Sequence, residues 1–198
     1  CKFVCRKQQI QGCPGALRIM IKIHKNFIGG NIRVIEMTDN EVFLENELRD
    51  TTGDWFYWAF CVEGAENKTI TFKFQQKRLG YFGPAVSYDL ENWHWLGEKN
   101  DEESFTYTFG ENESLVYFAH NMYYHPDRFA RFAASKGIEI KELCKTKKGR
   151  SVPFVTFGDG EEIILMTARH HACESTGNYV MEGVIDELLK NPVPNTKV

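Results

Sequence analysis

Between residues 20 and 118 the apolar positions come in short runs separated by polar turn residues. Ile21-Lys22-Ile23 alternates, and Ile32-Arg33-Val34-Ile35 and Val42-Phe43-Leu44 lie either side of Asp39-Asn40, a turn signal. The polar residues 47–53 read as a loop. Residues 55–62 (Trp-Phe-Tyr-Trp-Ala-Phe-Cys-Val) place large rings at successive positions, hence on both faces of a strand. Thr69-Ile70-Thr71-Phe72-Lys73-Phe74 alternates with period two. Trp93-His94-Trp95-Leu96 and Ser104-Phe105-Thr106-Tyr107-Thr108-Phe109 follow. Strands this short, with no helical period between them, predict an antiparallel β-sandwich over residues 20–118.

The pattern changes after Leu115-Val116-Tyr117-Phe118-Ala119. Pro126 suits the first turn of a helix, residues 127–136 place Phe129, Phe132 and Ala133 on one face, and Gly137 suits its end. Strands are expected over residues 138–144 and 152–157, joined by the turn-prone 146–150. Asp159-Gly160 signals a tight turn. Residues 163–168 are almost continuously apolar, which predicts a strand covered on both faces. A second helix over residues 176–190 is expected to bury Val180, Val184, Ile185, Leu188 and Leu189, with Pro192 ending it. The chain therefore reads as α+β: a sandwich at 20–118, then an α/β unit just beginning at 119–198.

Composition narrows the function classes. With 42% apolar and 14% aromatic residues, a packed core is expected rather than global disorder. A net charge of −3 gives no reason to expect nucleic acid or an acidic membrane as partner. No apolar run reaches the roughly 18 residues of a membrane helix. Three of the six cysteines fall within the first thirteen residues and the others are scattered, unlike a disulfide scaffold, so reduced thiols and a cytoplasmic protein are expected. Residues 1–19 are basic and aperiodic, and they lack the apolar centre of a signal peptide. They read either as upstream sequence preceding a start at Met20 or as an ordinary N-terminal extension, and they are not expected to join the core.

Candidate chemistry lies in Met166-Thr167-Ala168-Arg169-His170-His171-Ala172-Cys173-Glu174-Ser175, between the expected strand and the second helix. Ligands in open α/β sheets gather beyond the C-terminal ends of strands. His171 and Glu174 form an H-x-x-E pair there, and an imidazole nitrogen with a carboxylate oxygen suits zinc. In this pattern Glu174 is a ligand, unlike the general base of an H-E-x-x-H helix. Catalytic zinc takes three protein ligands and a water, so one ligand is missing from the pair. The tetrapeptide also arises readily by chance, and the bland alternative is a buried histidine beside a solvated glutamate. His170 and Cys173 form a rival H-x-x-C pair. Because neighbours on an extended chain point to opposite sides, His170 and His171 are not expected to share one ion.

The segment from Ala168 to Ser175, followed by Tyr179-Val180-Met181-Glu182-Gly183, resembles the zinc carboxypeptidase family, in particular its cytosolic carboxypeptidase-like branch. The aromatic strands at 55–64 and 88–95 resemble the β-sandwich preceding the catalytic domain of that branch. Residues 105–109 and 116–119 resemble the junction into that domain. The resemblance settles the register on His171 and Glu174. It implies a zinc-dependent metallocarboxypeptidase, with Zn²⁺ as cofactor, releasing C-terminal amino acids from a peptide or protein. The resemblance implies the activity associated with this branch, removal of glutamate from acidic protein tails, although the pocket that would show it is not in this sequence. The resemblance also implies a third ligand, a carboxylate-binding arginine and a water-activating glutamate, all beyond Val198. The 198 residues are therefore expected to be a fragment inactive by itself. Many secreted members carry a substrate-contacting arginine before the glutamate ligand, where this chain has Cys173.

Two rival readings stay open: a zinc-dependent deacylase acting on a small-molecule amide, and a non-catalytic β-sandwich binding module. A deacylase has no need of a preceding sandwich. Arg169 reads as a buried structural cation rather than a substrate contact. His120, Asn121, Tyr123, Tyr124 and His125 read as loop packing rather than a cleft lining. Trp55, Phe56, Tyr57, Trp58, Trp93 and Trp95 read as sandwich core rather than a sugar platform. The basic residues 145–150 read as a solvated turn.

Overall fold

The computed structural model describes residues 21–49, 51–53, 55–97 and 101–198. Residues 1–19 and Met20, with Cys1, Cys5 and Cys13, lie outside them. Two sheets stack as a sandwich. One has the order β1 (Lys22–His24), β4 (Ala59–Glu63), β9 (Leu115–Ala119), β6 (Ala85–Ser87) and β7 (Trp93–Trp95). The other has the order β2 (Arg33–Met37), β3 (Glu41–Glu45), β5 (Thr69–Phe74) and β8 (Ser104–Thr108). No described residue between 55 and 109 is helical, as the period-two reading requires.

Alternation in sequence becomes alternation in space. Along β5, Ile70, Phe72 and Phe74 are buried, while Thr69 and Thr71 meet Thr108 and Thr106 on the outer face at 3.0 and 2.9 Å. Pairing of β4 with β9 puts Phe60 opposite Phe118, and pairing of β5 with β8 puts Phe72 opposite Phe105. These four rings meet between the sheets, with Phe118 centred 5.3–5.4 Å from each of the other three. Trp58 closes one end, fully buried.

The antiparallel expectation needs one correction: β3 and β5 pair in parallel, Val42 against Phe72. A long connection through β4 separates them in sequence, so the hairpin rule does not apply. Of the proposed core rings, Tyr57 and Trp58 are buried, whereas Phe56 is 53% exposed. β4 begins at Ala59, after the rings at 55–58.

Beyond β9, helix α1 (Pro126–Ser135) starts on Pro126, capped by His125, whose Nδ1 accepts from the Asp127 amide. Gly137 follows its end in the left-handed region. The hairpin of β10 (Ile140–Lys145) and β11 (Ser151–Val155) comes next. Helix α2 spans Thr176–Lys190, and it joins β12 (Glu162–Ile163) to β13 (Thr196–Lys197), which pair in parallel. This is a β–α–β crossover in miniature. It is tight enough that a Cβ on Gly160 would lie 1.8 Å from the Asn195 carbonyl carbon.

The expectation for residues 163–168 is overturned. Only Ile163 belongs to a strand, and Ile163 and Leu165 are 78% and 85% exposed. The apolar run was correct as composition, but only the two-residue β13 pairs alongside it. Helix α2 likewise fully buries only Ile185, with Val180 and Val184 exposed. Among the described residues no helix is long and apolar enough to cross a membrane, and Cys61, Cys144 and Cys173 are free thiols.

Candidate functional site

The H-x-x-E segment forms a tight turn directly before α2. Arg169 enters it in the left-handed region, at φ +58°. The Glu174 amide closes it by donating to the His171 carbonyl at 3.1 Å. The Glu174 side chain folds back over the same turn: Oε2 accepts from the His171 amide at 3.0 Å, and Oε1 lies 2.9 Å from His171 Nδ1. A carboxylate only accepts, so Nδ1 carries the proton in this arrangement. The two hydrogen bonds, the side-chain one first, hold the Glu174 carboxyl below the usual carboxylate range. Both side chains are open to solvent, 63% and 49% exposed.

The donor set fits a metal ion in part. Two ligands of one zinc, each about 2.0–2.2 Å from it, stand roughly 3–3.5 Å apart. Nδ1 and Oε1 are almost at that spacing, with an ionised carboxylate opposite an imidazole whose shared proton an ion can replace. No group of three or more His, Cys, Asp or Glu side chains gathers among the described residues. The rival pair is engaged elsewhere: His170 Nε2 meets Thr167 Oγ1 at 3.0 Å, while Cys173 is half-buried and its thiol is pushed up by burial.

The back of the turn rests on the sandwich. Ala172 and Cys173 pack on the outer face of the first sheet, against the cluster of Tyr57, Ala59 and Ala119, which Phe27, Trp55 and Trp93 also cover. The loop leaving β9 supplies polar anchors. Asn121 Nδ2 donates to the Cys173 carbonyl at 3.0 Å, and its Oδ1 accepts from Thr176 Oγ1 and the Met122 amide, both at 2.8 Å. The Ser175 hydroxyl donates to the Met122 carbonyl at 2.5 Å, leaving the α2 N-terminus without a side-chain cap. Tyr179 donates to the Tyr123 carbonyl at 2.7 Å. Arg169 donates to the carbonyls of Tyr124 and Ala172 at 3.2 and 3.3 Å and lies over the Tyr123 ring; it is half-buried, rather than buried as expected. Tyr123 in turn fills the space a side chain on Gly29 would need, 2.4 Å from a Cβ there.

The loop at 120–125 thus packs, as expected, but what it packs is the candidate ligand turn. Sequence reasoning found the loop and missed Asn121 and Ser175 as its agents. The only signal was a polar pair at matching ends of two segments 52–55 residues apart. Beside Glu174 an apolar groove of about 510 Å³ runs along α2, lined by Met166, Ala168, Gly177, Val180 and Met181.

Over most of its length the chain shares the fold of metallo-carboxypeptidases. With the metallo-carboxypeptidase of Burkholderia cenocepacia the TM-score is 0.71 at 18% identity, covering 90% of this chain and 54% of that one. With the metallo-carboxypeptidase of Pseudomonas aeruginosa, solved with (2-guanidinoethylmercapto)succinic acid, it is 0.71 at 25% identity, covering 89% and 53%. The family model for the cytosolic carboxypeptidase N-terminal domain matches residues 23–121, and the chain belongs to that family. Among curated relatives, an uncharacterised protein of Zymomonas mobilis is 29% identical over 181 residues, 85% of this chain and 47% of its own length. Cytosolic carboxypeptidase 2 of Xenopus tropicalis is 24% identical over 149 residues, 67% of this chain and 15% of its own. The chain therefore spans about half the length of the bacterial relatives and a smaller part of the vertebrate one.

Proposed function

We propose that the chain is the sandwich and ligand-bearing segment of a zinc metallocarboxypeptidase, with His171 and Glu174 as two of the zinc ligands. The observation that carries this reading is the convergence of His171 Nδ1 and Glu174 Oε1 at 2.9 Å on one turn, in a chain whose homologues are metallo-carboxypeptidases. Bound zinc would polarise a scissile carbonyl and lower the pKa of its water to about 7. The part of these residues is to hold and orient. Glu174, its carboxyl held below the usual carboxylate range, supplies the negative charge, and His171 supplies a neutral imidazole through Nδ1 once the ring proton sits on Nε2 instead. The turn fixes their spacing through the Glu174 amide. The substrate is proposed to be a peptide or protein C-terminus in the cytoplasm, with no role for nucleic acid or membrane. The third ligand, the general base and the carboxylate-binding arginine are proposed to come from outside the 198 residues.

The test has two parts. Zinc titration of the chain, followed by the His171 ring resonances, should show binding that His171→Ala and Glu174→Ala abolish. Release of C-terminal residues from peptides by the same chain should be undetectable with zinc added. Zinc-dependent turnover that disappears in His171→Ala would show that a complete site assembles, for instance between two copies, and would overturn the two-ligand account.

A further inference from the structure

We infer that Asn121 is a positioning residue for the His171–Glu174 pair, and that through it the sandwich sets where the pair points. This rests on the metal-ligand reading above. The side chains of His171 and Glu174 stand in solvent, so their own packing does not fix them. Their aim is decided by the backbone of the turn. Asn121 takes hold of that backbone at the peptide joining Cys173 to Glu174, through the Cys173 carbonyl, and at the first residue of α2, through the Thr176 hydroxyl. One amide group thus brackets Glu174 and Ser175. The Met122 amide donates to the same Oδ1 and fixes the orientation of the Asn121 side chain. Ser175 adds a second tie, to the Met122 carbonyl.

The other end of this clasp is rigid. Asn121 lies two residues beyond Ala119, which pairs with Ala59 on one side and Ala85 on the other and is fully buried. Displacing the turn therefore means breaking the Asn121 bonds and lifting Ala172 and Cys173 off the sheet. Outer partners that orient metal ligands typically account for 10–100-fold in affinity. An asparagine that only satisfied its own loop would leave the ligands unaffected.

The experiment uses the 198-residue chain, with Asn121→Ala, Thr176→Val and His171→Ala. Two quantities are read: zinc affinity from the histidine ring resonances, and hydrogen exchange of the Glu174 amide. Asn121→Ala should weaken zinc binding at least tenfold and speed Glu174 amide exchange by a similar factor, while amides of β4 and β5 keep their protection. Thr176→Val, which removes one bond of the clasp, should shift both readings the same way by a smaller factor. If Asn121→Ala leaves both unchanged with the sandwich intact, the positioning role is wrong. If Asn121→Ala costs the sandwich its protection, Thr176→Val decides by the same two readings, and no change in either overturns the inference. His171→Ala separates the two ideas. Zinc lost there but unaffected by Asn121→Ala overturns the positioning role alone. Zinc retained there overturns the metal reading, and accelerated Glu174 exchange in Asn121→Ala would still support the clasp.

Discussion

His120 opens the site loop, with its ring packed against Phe56 and Trp58 of the sandwich. Its Nδ1 lies 3.0 Å from the Arg78 carbonyl, which also accepts from Trp58 Nε1 at 2.9 Å, so Nδ1 must carry the proton. Burial, the largest cause, lowers the imidazole below its ordinary value; the bond to Arg78 opposes this and the Arg78 charge adds to it. The folded state thus favours the neutral ring. As pH falls through about 6.5 the unfolded chain takes up a proton before the folded one does. Stability present above that value is therefore lost progressively as pH drops towards the folded pKa. Urea midpoints measured from pH 7.5 to 5.0 should fall in the wild type, and the slope should be flatter in His120→Asn. An equal slope in both proteins would mean the titrating group lies elsewhere. Neighbouring residues had legible roles where chemistry is local, as with Pro126 at a helix start. Asn121 did not, because its partners Cys173 and Thr176 are local to it only after folding.

At the scale of elements, α1 and α2 are joined by the ion pair of Arg128 with Glu182, and Lys136, the C-cap of α1, also pairs with Asp186 on α2. Glu182 on α2 accepts from Arg128 Nε at 3.0 Å and Nη2 at 2.8 Å, and from the Tyr124 hydroxyl at 2.7 Å, while the guanidinium lies 4.7 Å from the Tyr179 ring centre. The Glu182 side chain is only 13% exposed, so the contact lies between a surface pair and a buried one. Glu182→Ala should cost about 2 kcal/mol, because it leaves Arg128 and Tyr124 without their acceptor. Glu182→Gln should cost less, since an acceptor oxygen remains. Denaturant unfolding followed by helical circular dichroism would measure both, and an alanine cost below about 0.5 kcal/mol would show that the pair contributes only surface electrostatics. The helices themselves were readable in sequence, α2 to the residue, because helix-forming composition and a terminating Pro192 are written locally, whereas the face that α2 buries was not. The run at 163–168 misled for the converse reason. Apolar composition says that a segment can be covered but not what covers it, and of this run only Ile163 pairs here, with Lys197. The parallel pairing of β3 with β5 was equally unreadable, since nothing in either strand names its partner.

In the whole molecule, one strand serves both the core and the candidate site. β9 sends Phe118 into the interior, against Phe60, Phe72 and Phe105, and turns Ala119 to the opposite face, under Ala172 and Cys173. The first sheet is therefore lined with apolar groups on both sides, which explains the unbroken rings and aliphatics of residues 55–62 better than one-sided burial does. A chain ending at residue 121 should keep the Phe118 core but lose the Ala172 and Cys173 part of the cover over Tyr57, Ala59 and Ala119. It should bind an apolar fluorescent dye that the 198-residue chain ignores, and melt several degrees lower, where about 1 kcal/mol corresponds to roughly 4–8 °C for a domain of that size. Equal dye binding and equal melting would show that the outer face needs no cover. If the cover is needed, the sandwich is a poor candidate for shuffling between genes. Transplanted next to an unrelated catalytic unit it would arrive with a wet hydrophobic flank, so the two halves would be expected to travel together through descent and to accept substitutions across their seam in pairs.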